Sequence, residues 1–151
     1  MKADSKPLDL SGCGQCACFN LRKAARAVTQ LFDATLQPLG LRATQFTIIT
    51  LVAHRGPINI SNLADRLVMD RTTLSRDLGP LEKRDWVKIQ PGKDRRTRAV
   101  ELTAEGRRVL GDALPRWRRT QQKVIDGLGR RGFEGLLDEL SSTVSVVKGA
   151  G

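Results

Sequence analysis

A mainly α-helical fold with one small β-hairpin is expected for this chain of 151 residues. Apolar residues recur at intervals of three and four along most of the sequence, which is the period of helices with one buried face. Between residues 86 and 102 the period changes to two, which is typical of paired strands. Apolar residues make up 40 % of the chain, enough for the core of one domain.

The first two predicted helices differ in their apolar surface. The first begins near Phe19, has one apolar face, and ends at Pro38–Gly40. The second runs from about Thr44, a candidate N-cap, to His54, and it is apolar around most of its circumference, which predicts a buried helix. The segment Ile58–Ile60 is too short for a helix and is expected to form a brief strand.

Two short helices follow and are predicted to form a helix-turn-helix. Ser61 is expected to cap the first, and a tight turn at Val68–Met69 leads to Asp70, which is expected to cap the second. The second helix extends to about Asp85. Pro80 lies inside it and is expected to kink the helix or to shorten its last turn.

The predicted hairpin and two long helices complete the chain. The turn Pro91–Asp94 separates the strands of the hairpin, which forms a wing beside the helix-turn-helix. Thr103 is expected to cap a long helix that runs to about Leu128. The stretch Gly129–Gly132 separates that helix from a last amphipathic helix.

The apolar faces of the terminal helices lack a partner in this arrangement. We expect them to pack against a second chain, and a monomer whose ends pack on each other is the alternative. We therefore expect the sequence to divide into an N-terminal arm with a cysteine cluster (residues 1–17), dimerisation helices (residues 18–40 and 103–148) and a winged helix-turn-helix lobe (residues 41–102).

The charge of the chain indicates its class of partner. Lys and Arg number 26 against 16 Asp and Glu, and the net charge of +10 favours nucleic acid or another anionic surface. The chain has no run of about 18 apolar residues, so no membrane partner is expected. Residues 1–10 lack the apolar core of a secretory signal, and we expect a cytoplasmic protein.

Polar side chains crowd the start of the second helix of the helix-turn-helix. Thr72, Thr73, Ser75 and Arg76 combine hydroxyl groups with a guanidinium group, while leucines occupy the opposite face. A helix that reads bases in the major groove of double-stranded DNA needs such groups at its N-terminal end, so we expect these residues to contact DNA. The alternative is an ordinary exposed face of an amphipathic helix.

The tip of the wing carries a cluster of cations. Lys93, Arg95, Arg96 and Arg98 lie within six residues and are offset only by Asp94. A cationic loop next to a reading helix is expected to enter the minor groove of DNA. The alternative is a charged turn that only contacts solvent. The arginines of the long helix after the wing are further candidates for phosphate contacts or for a purely solubilising role.

These segments resemble the MarR family of transcriptional regulators over residues 18 to about 145. The segments that resemble the family are Asp94–Arg96 with Leu102–Thr103, Leu63–Leu67, Asp70–Arg76 and Leu81–Val87. At the position of Asp85 the family more often has glycine. The resemblance implies a winged-helix homodimer that binds a pseudo-palindromic operator. It also implies that the homodimer represses nearby genes until a ligand or an oxidant releases it.

The resemblance further implies roles for three wing residues and a kind of effector. Arg96 is expected to enter the minor groove, Asp94 to orient Arg96 through a salt bridge, and Arg95 to contact phosphate. Members of the family often bind an aromatic acid or a phenol between the end helices and the DNA-reading lobe. A small aromatic effector is therefore expected here.

Cys13, Cys16 and Cys18 form an unusual cluster with three open interpretations. In the first interpretation the thiols bind a soft metal. Their spacing matches no standard zinc signature, so we expect no metal. In the second interpretation Cys18 senses oxidation, and Cys13 or Cys16 resolves its sulfenic acid. Cys18 resembles the sensing position of the peroxide-responsive OhrR branch of the family. The tyrosines that activate the thiol in that branch are replaced here by Arg22 and Phe32. In the third interpretation Cys18 is a small buried apolar residue and the other two are incidental.

Two other classes of protein compete with a regulator. A sequence-independent architectural or RNA-binding protein suits the net charge equally well. A thiol or metal redox enzyme would use the cysteine cluster, but the chain has one histidine, no tyrosine and no phosphate-binding or dinucleotide-binding loop. We therefore expect a non-enzymatic regulator with no catalytic residue and no cofactor.

Overall fold

The computed structural model describes residues 7–150 and confirms the predicted order of helices and strands. Residues 1–6 of the predicted N-terminal arm lie outside the described part. The helices and strands are α1 (Ala17–Leu36), α2 (Ala43–Arg55), β1 (Ile58–Asn59), α3 (Ile60–Leu67), α4 (Arg71–Lys83), β2 (Val87–Pro91), β3 (Arg98–Leu102), α5 (Ala104–Leu128) and α6 (Arg130–Gly149). Short 3-10 turns at Cys13–Gln15 and Gln37–Leu39 flank α1.

The strands form an antiparallel sheet of three strands in the order β1–β3–β2. Ile58 of β1 pairs with Val100 of β3, and Val87 of β2 pairs with Leu102 of β3. The brief strand expected at residues 58–60 is therefore the edge of the sheet, except that Ile60 already belongs to α3. The sheet attaches the wing to the core of the lobe.

One hydrophobic core joins α2, the helix-turn-helix, the sheet and the first half of α5. The prediction that α2 is buried is confirmed, since Phe46, Ile48, Ile49 and Val52 are all buried. Each fully buried aliphatic side chain of this kind stabilises the fold by about 1.5–3 kcal/mol.

Two of the predicted N-caps are wrong. The helix α2 begins at Ala43 with Arg42, not Thr44, as its N-cap, and the Gln45 side chain accepts the Arg42 backbone N–H at 3.0 Å. The Oδ1 atom of Asp33 accepts the Ala43 N–H at 2.7 Å. Asn59 caps α3 in place of Ser61, since its side chain accepts a backbone N–H three residues later at 3.0 Å. Asn and Ser cap helices about equally well, so residue type does not select the N-cap. Because β1 ends at Asn59 and α3 begins at Ile60, Asn59 occupies the capping position.

The remaining boundaries follow the sequence closely. Asp70 and Thr103 cap α4 and α5 as predicted, with 2.8 Å and 2.9 Å between the side-chain oxygen and the backbone nitrogen three residues later. The helix α4 continues through Pro80 to Lys83. Only Gly129, whose φ is 73°, separates α5 from α6, so the predicted break over four residues is shorter.

The terminal helices expose a long apolar stripe in the single chain. Large apolar side chains of α1, the end of α5 and α6 are between 38 % and 71 % exposed: Phe19, Leu21, Val28, Leu31, Leu128, Leu136, Leu137, Leu140, Val144, Val146 and Val147. The helix α6 has no buried residue. The apolar face expected on the last helix is therefore present and uncovered. Over residues 7–150, no helix has both the length and the hydropathy to cross a membrane.

Candidate nucleic-acid interface

The buried face of α4 determines which of its side chains point outward. Leu74, Leu78 and Leu81 have no exposed surface and attach the helix to the core. The opposite face carries residues predicted to contact DNA: Thr72, Ser75 and Arg76 are exposed, and Thr73 is half-buried. The structure thus places all four on the accessible side of α4, at its N-terminal end.

Thr73 is already hydrogen-bonded within the helix. Its backbone N–H donates to Oδ1 of Asp70 at 2.8 Å, and its hydroxyl donates to Oδ2 of Asp70 at 2.5 Å. The Thr73 hydroxyl and backbone N–H hold the pKa of the Asp70 carboxyl below its usual range. Asp70 is therefore a charged N-cap, as predicted, and it also orients a neighbouring side chain.

The turn between α3 and α4 sets the angle of the helix-turn-helix. Val68 has a φ of 53°, and the Met69 N–H donates to the Ala64 carbonyl at 2.9 Å. This is the usual way in which a helix ends with a left-handed residue, although glycine is normally found at that position. The tight turn predicted at Val68–Met69 is confirmed.

The tip of the wing is held in shape by four hydrogen bonds. The Gly92 N–H donates to the Thr97 carbonyl at 2.8 Å, and both the N–H and the hydroxyl of Thr97 donate to the Asp94 carbonyl at 2.8 Å. The Asp94 carboxylate accepts the backbone N–H of Arg96 at 3.0 Å. A side chain at Gly92 would collide with Thr97, so this position requires glycine.

The expected salt bridge between Asp94 and Arg96 is not among the ion pairs of residues 7–150. Asp94 instead closes the turn through the backbone of Arg96. Lys93, Arg95, Arg96 and Arg98 are all exposed, and none of the four forms an ion pair within the described part of the chain. The wing therefore presents four cations, none in an ion pair within the described residues, against the single carboxylate of Asp94, and this excess of positive charge favours an anionic partner.

The arginines of α5 are not equivalent to those of the wing. The guanidinium of Arg108 pairs with Glu105 at 2.6 Å and with Asp112 at 3.0 Å. Glu105 raises the pKa of Arg108, and Arg108 lowers the pKa of Glu105. Arg108 is therefore neutralised locally and is a poor candidate for a phosphate contact.

Two cavities bring together residues that sequence reasoning did not combine. The larger, an open groove of about 1310 Å³, lies between α3 and the wing and includes Asn59, Asn62, Arg66 and Lys93. Asn59, Asn62 and Arg66 are three and four residues apart, and this helical spacing could have indicated a polar face of α3 that lines the groove. The second, of about 280 Å³, lies between α1, α2 and α5, and no local pattern marks it.

Aromatic and small polar side chains line the second cavity. Its lining residues are Val28, Thr29, Phe32, Leu36, Ala43, Thr44, Thr47, Trp117 and Gln121. The Trp117 ring stacks on Phe46 with 5.8 Å between centroids and 24° between planes, so α5 is held against α2 beside the cavity. This cavity lies where α1 and α5 meet the winged helix-turn-helix lobe.

All three cysteines of the cluster are exposed in the single chain. Burial of Cys18 within the single chain is therefore excluded, and burial against a second chain stays a prediction. The Cys16 N–H donates to the Cys13 carbonyl at 3.2 Å, and the Asn20 amide donates to the Gly14 and Cys16 carbonyls at 3.0 Å each, which ties the cluster to α1. Within residues 7–150, no three His, Cys, Asp or Glu side chains are grouped closely enough to hold a metal ion.

The sequence of the chain is similar to those of bacterial regulators. Residues 41–97 match the MarR family. The chain is 27 % identical over 85 residues to an uncharacterized HTH-type transcriptional regulator of Bacillus subtilis, YwoH, and the match covers 56 % of this chain. It spans 62 % of that curated relative, which is less than two thirds of its length.

The fold is similar to those of solved regulators. The Mycobacterium tuberculosis transcriptional regulator MosR in complex with DNA is 35 % identical with a TM-score of 0.73, over 85 % of this chain and 98 % of that chain. The repressor CouR of Rhodococcus jostii bound to a 23-mer DNA duplex is 24 % identical with a TM-score of 0.79, over 92 % of this chain and 99 % of that chain. CouR has also been solved with p-coumaroyl-CoA, at 23 % identity and a TM-score of 0.78, over 91 % of this chain and 98 % of that chain.

Proposed function

The chain belongs to the MarR family of winged-helix DNA-binding transcriptional regulators, and we propose that it is a cytoplasmic repressor that binds a pseudo-palindromic operator as a homodimer. The observation that carries this proposal is that one lobe presents the polar face of α4 together with four wing cations that form no ion pair in the described part of the chain. In the proposed complex Thr72, Thr73, Ser75 and Arg76 read bases in the major groove.

The wing has a complementary role in this proposal. Arg96 enters the adjacent minor groove, whose narrow and electronegative form attracts guanidinium groups. Arg95 and Arg98 contact phosphate, and Asp94 keeps the tip in shape by accepting the Arg96 backbone N–H. Because phosphate contacts carry no sequence information, the specificity of the complex comes mainly from α4 and Arg96.

The uncovered apolar stripe supports a homodimer. Monomeric proteins rarely expose a contiguous apolar stripe as long as that on α1 and α6, and a second copy of the same chain offers a matching face. In the proposed assembly residues 18–40 and 103–148 are the dimerisation helices, residues 41–102 are the DNA-binding lobe and residues 1–17 are an arm. Two-fold symmetry then places the recognition helices about 34–36 Å apart, on two half-sites.

Selection of DNA from a random duplex library by the purified full chain tests the proposal. We expect one palindromic operator to bind about 10³–10⁷ times more tightly than random DNA at a fixed salt concentration. Arg76→Ala and Arg96→Ala should each weaken operator binding about 5- to 150-fold, whereas Arg108→Ala, which removes an α5 arginine already paired with Glu105 and Asp112, should change it less than twofold. An affinity ratio near one would instead indicate a sequence-independent architectural protein.

The cavity between α1, α2 and α5 supports release by a small aromatic effector. A cavity of about 280 Å³ exceeds the roughly 150 Å³ that accommodates benzene, and its threonines and Gln121 offer hydrogen bonds to a polar substituent. CouR, a member of the same fold class, binds p-coumaroyl-CoA. We propose a single aromatic ring with a carboxylate or hydroxyl substituent as the effector of this chain.

A chain of contacts connects this cavity with the recognition helix. The lining residues Leu36 and Ala43 flank the turn at Gly40. The Arg84 side chain, directly after α4, donates to the Gly40 carbonyl at 2.6 Å and lies over the Trp86 ring at 4.8 Å. A ligand that separates α1 from α2 would therefore move the C-terminal end of α4 and change the spacing of the two recognition helices.

A pair of adjacent substitutions tests the effector site. Gln121→Trp places a large ring in the cavity, and Gln122→Trp makes the same change one residue along, on the exposed side of α5. With a panel of aromatic acids and phenols, we expect release from the operator by at least one compound in the wild type and in Gln122→Trp, and none in Gln121→Trp. Equal release from all three proteins would contradict the proposed site.

Thiol oxidation is a second candidate switch, favoured by the exposure of all three cysteines. Hydrogen peroxide would convert the Cys18 thiol to a sulfenic acid with release of one water, and the thiol of Cys13 or Cys16 would then form a disulfide with release of a second water. In this proposal the new disulfide reshapes the start of α1, which lies in the dimerisation helices.

Release of operator DNA by hydrogen peroxide distinguishes the two switches. Oxidation should release DNA from the wild type but not from Cys18→Ser, and dithiothreitol should restore binding. Equal release from both proteins, or release from neither, would eliminate Cys18 as a sensor and leave the aromatic effector as the proposed switch.

A further inference from the structure

Both carboxylate oxygens of Asp70 hold Thr73, one of the residues expected to contact bases. Oδ1 accepts the backbone N–H of Thr73 at 2.8 Å, and Oδ2 accepts its hydroxyl proton at 2.5 Å. Asp70 is exposed and Thr73 is half-buried, on the accessible side of α4. The Thr73 side chain is therefore oriented before any DNA arrives.

This contact determines the direction of any further hydrogen bond from Thr73. A hydroxyl group has one proton and two lone pairs, so serine and threonine ordinarily contact either donors or acceptors on bases. An ionised carboxylate only accepts hydrogen bonds, and the pKa of Asp70 lies below its usual range, so Asp70 is ionised at neutral pH. The single proton of Thr73 therefore points to Asp70, and its lone pairs remain for a third partner.

We propose that Thr73 reads only hydrogen-bond donors on DNA, because Asp70 holds the one proton of its hydroxyl group. The major-groove donors are the N6 amino group of adenine and the N4 amino group of cytosine. Guanine O6, guanine N7 and thymine O4 are acceptors and are rejected at the same place, since two acceptors repel. This inference rests on the proposed function, and it makes Asp70 a specificity-determining residue that contacts no base.

The other hydroxyl groups of α4 provide a contrast within the same helix. Over the described residues, neither Thr72 nor Ser75 has a hydrogen bond to a carboxylate through its side chain. Their hydroxyl groups can rotate and accept either kind of base edge. The base preference at the operator position that Thr73 contacts should therefore be stronger than the preferences at the positions that Thr72 and Ser75 contact.

Three variants of the full chain test this inference by selection from a random duplex library. Thr73→Val keeps the branched shape and removes the hydroxyl. Asp70→Asn keeps a residue that can cap α4, but its NH₂ group donates to the Thr73 oxygen and frees the hydroxyl proton. Asp77→Asn removes the same charge from the same helix at a residue without a hydrogen bond to Thr73, and it is the matched control.

We expect the selected sequences to differ between these variants at one position in each half-site. The wild type and Asp77→Asn should prefer an amino-bearing base on one strand by about tenfold, Thr73→Val should lose the preference, and Asp70→Asn should shift it to guanine or thymine. Replacement of a selected adenine by 2-aminopurine, which moves the amino group out of the major groove, should weaken wild-type binding about tenfold. The same replacement should change Thr73→Val binding less than twofold.

The possible failures have separate meanings. If the wild type selects no operator, the proposed function itself is wrong. If the wild type selects an operator but Asp70→Asn and Asp77→Asn select the same bases, the proposed regulator function is retained. The inference that Thr73 contacts only hydrogen-bond donors is then overturned. Unchanged wild-type affinity for the 2-aminopurine operator would also overturn it. Circular dichroism and thermal unfolding of each variant check that the overall fold is retained, so that loss of binding is not mistaken for loss of preference.

Discussion

Two residues in the winged helix-turn-helix lobe adopt a backbone conformation that favours glycine. Val68 ends α3 with a φ of 53°, and Asp85 follows α4 with a φ of 57°. A left-handed conformation costs a residue with a Cβ atom about 1–2 kcal/mol. At Asp85 this explains why the resembling family more often has glycine, and at Val68 the cost is higher still because the side chain is β-branched.

Val68→Gly should raise the free energy of unfolding. Relief of the left-handed strain outweighs the extra entropy that glycine gives the unfolded chain, and we expect a net gain of about 1 kcal/mol. Val68→Ala, which keeps the Cβ atom but removes the branch, should give a smaller gain. Urea denaturation measures all three proteins. A loss of stability in Val68→Gly would show that the exposed valine side chain stabilises the turn.

The N-cap of α4 makes stability depend on acidity. The pKa of Asp70 in the folded protein is below its ordinary value of 3.8, so its contribution is present above about pH 3.8 and is lost as the pH falls through the folded pKa. The wild type should be more stable than Asp70→Asn at neutral pH, and this difference should shrink on acidification below pH 3.8. Denaturation curves between about pH 2 and pH 7 measure this difference in stability. A difference that does not change with pH would contradict the role of Asp70 as a charged N-cap.

At the scale of elements, the joint between the wing and α5 depends on one glycine. A Cβ atom on Gly106 would lie 2.0 Å from the Trp86 carbonyl oxygen and 2.8 Å from Leu102, so the first turn of α5 is packed against the start of the sheet. The Thr103 side chain, which caps α5, also donates to the Asp85 carbonyl. The wing and α5 are thereby attached to each other at both strands.

Gly106→Ala should destabilise the chain by about 1–3 kcal/mol or more, because backbone atoms cannot move aside as flexible side chains do. Gly111→Ala is the matched control in the same helix. No atom lies within 4 Å of a Cβ atom built at Gly111, so this change should stabilise α5 by about 0.5–1 kcal/mol. Thermal unfolding measures both variants, and equal effects would show that the packing at Trp86 is not tight in solution.

At the scale of the whole molecule, the apolar stripe of α6 is expected to lie in the dimer interface. Leu140→Glu places a charge in the middle of that stripe, and Ser142→Glu places the same charge on the opposite, polar side of the helix. Leu140→Glu should shift the chain to monomers and weaken operator binding at least about tenfold, while Ser142→Glu should remain dimeric. Sedimentation velocity decides between these outcomes, and an unchanged dimer in Leu140→Glu would move the interface away from α6.

The order of helices and strands and much of the proposed DNA-binding surface were predictable because their signals are local. The leucines of α4 determine its buried face through a helical period, and Asp70 and Thr103 act on backbone atoms three residues away. The positions of Thr72 and Arg76 on the accessible face follow directly from that period. A hairpin turn and its cations are likewise adjacent in the sequence.

Contacts between distant segments were beyond the reach of those signals. Arg84 donates to the Gly40 carbonyl across 44 residues, and Thr35 and Thr120 share a hydrogen bond across 85. Such contacts join α1 to α5 and connect the turn before α2 to the end of α4. Even near neighbours escape prediction when a polar side chain has two possible partners, as when Asp94 accepts the backbone N–H of Arg96 and forms no ion pair with its guanidinium. Periodicity and helix capping depend on residues within one or two turns, so the amino-acid order alone specifies them. The choice of a hydrogen-bond partner depends on distances that exist only after the chain has folded.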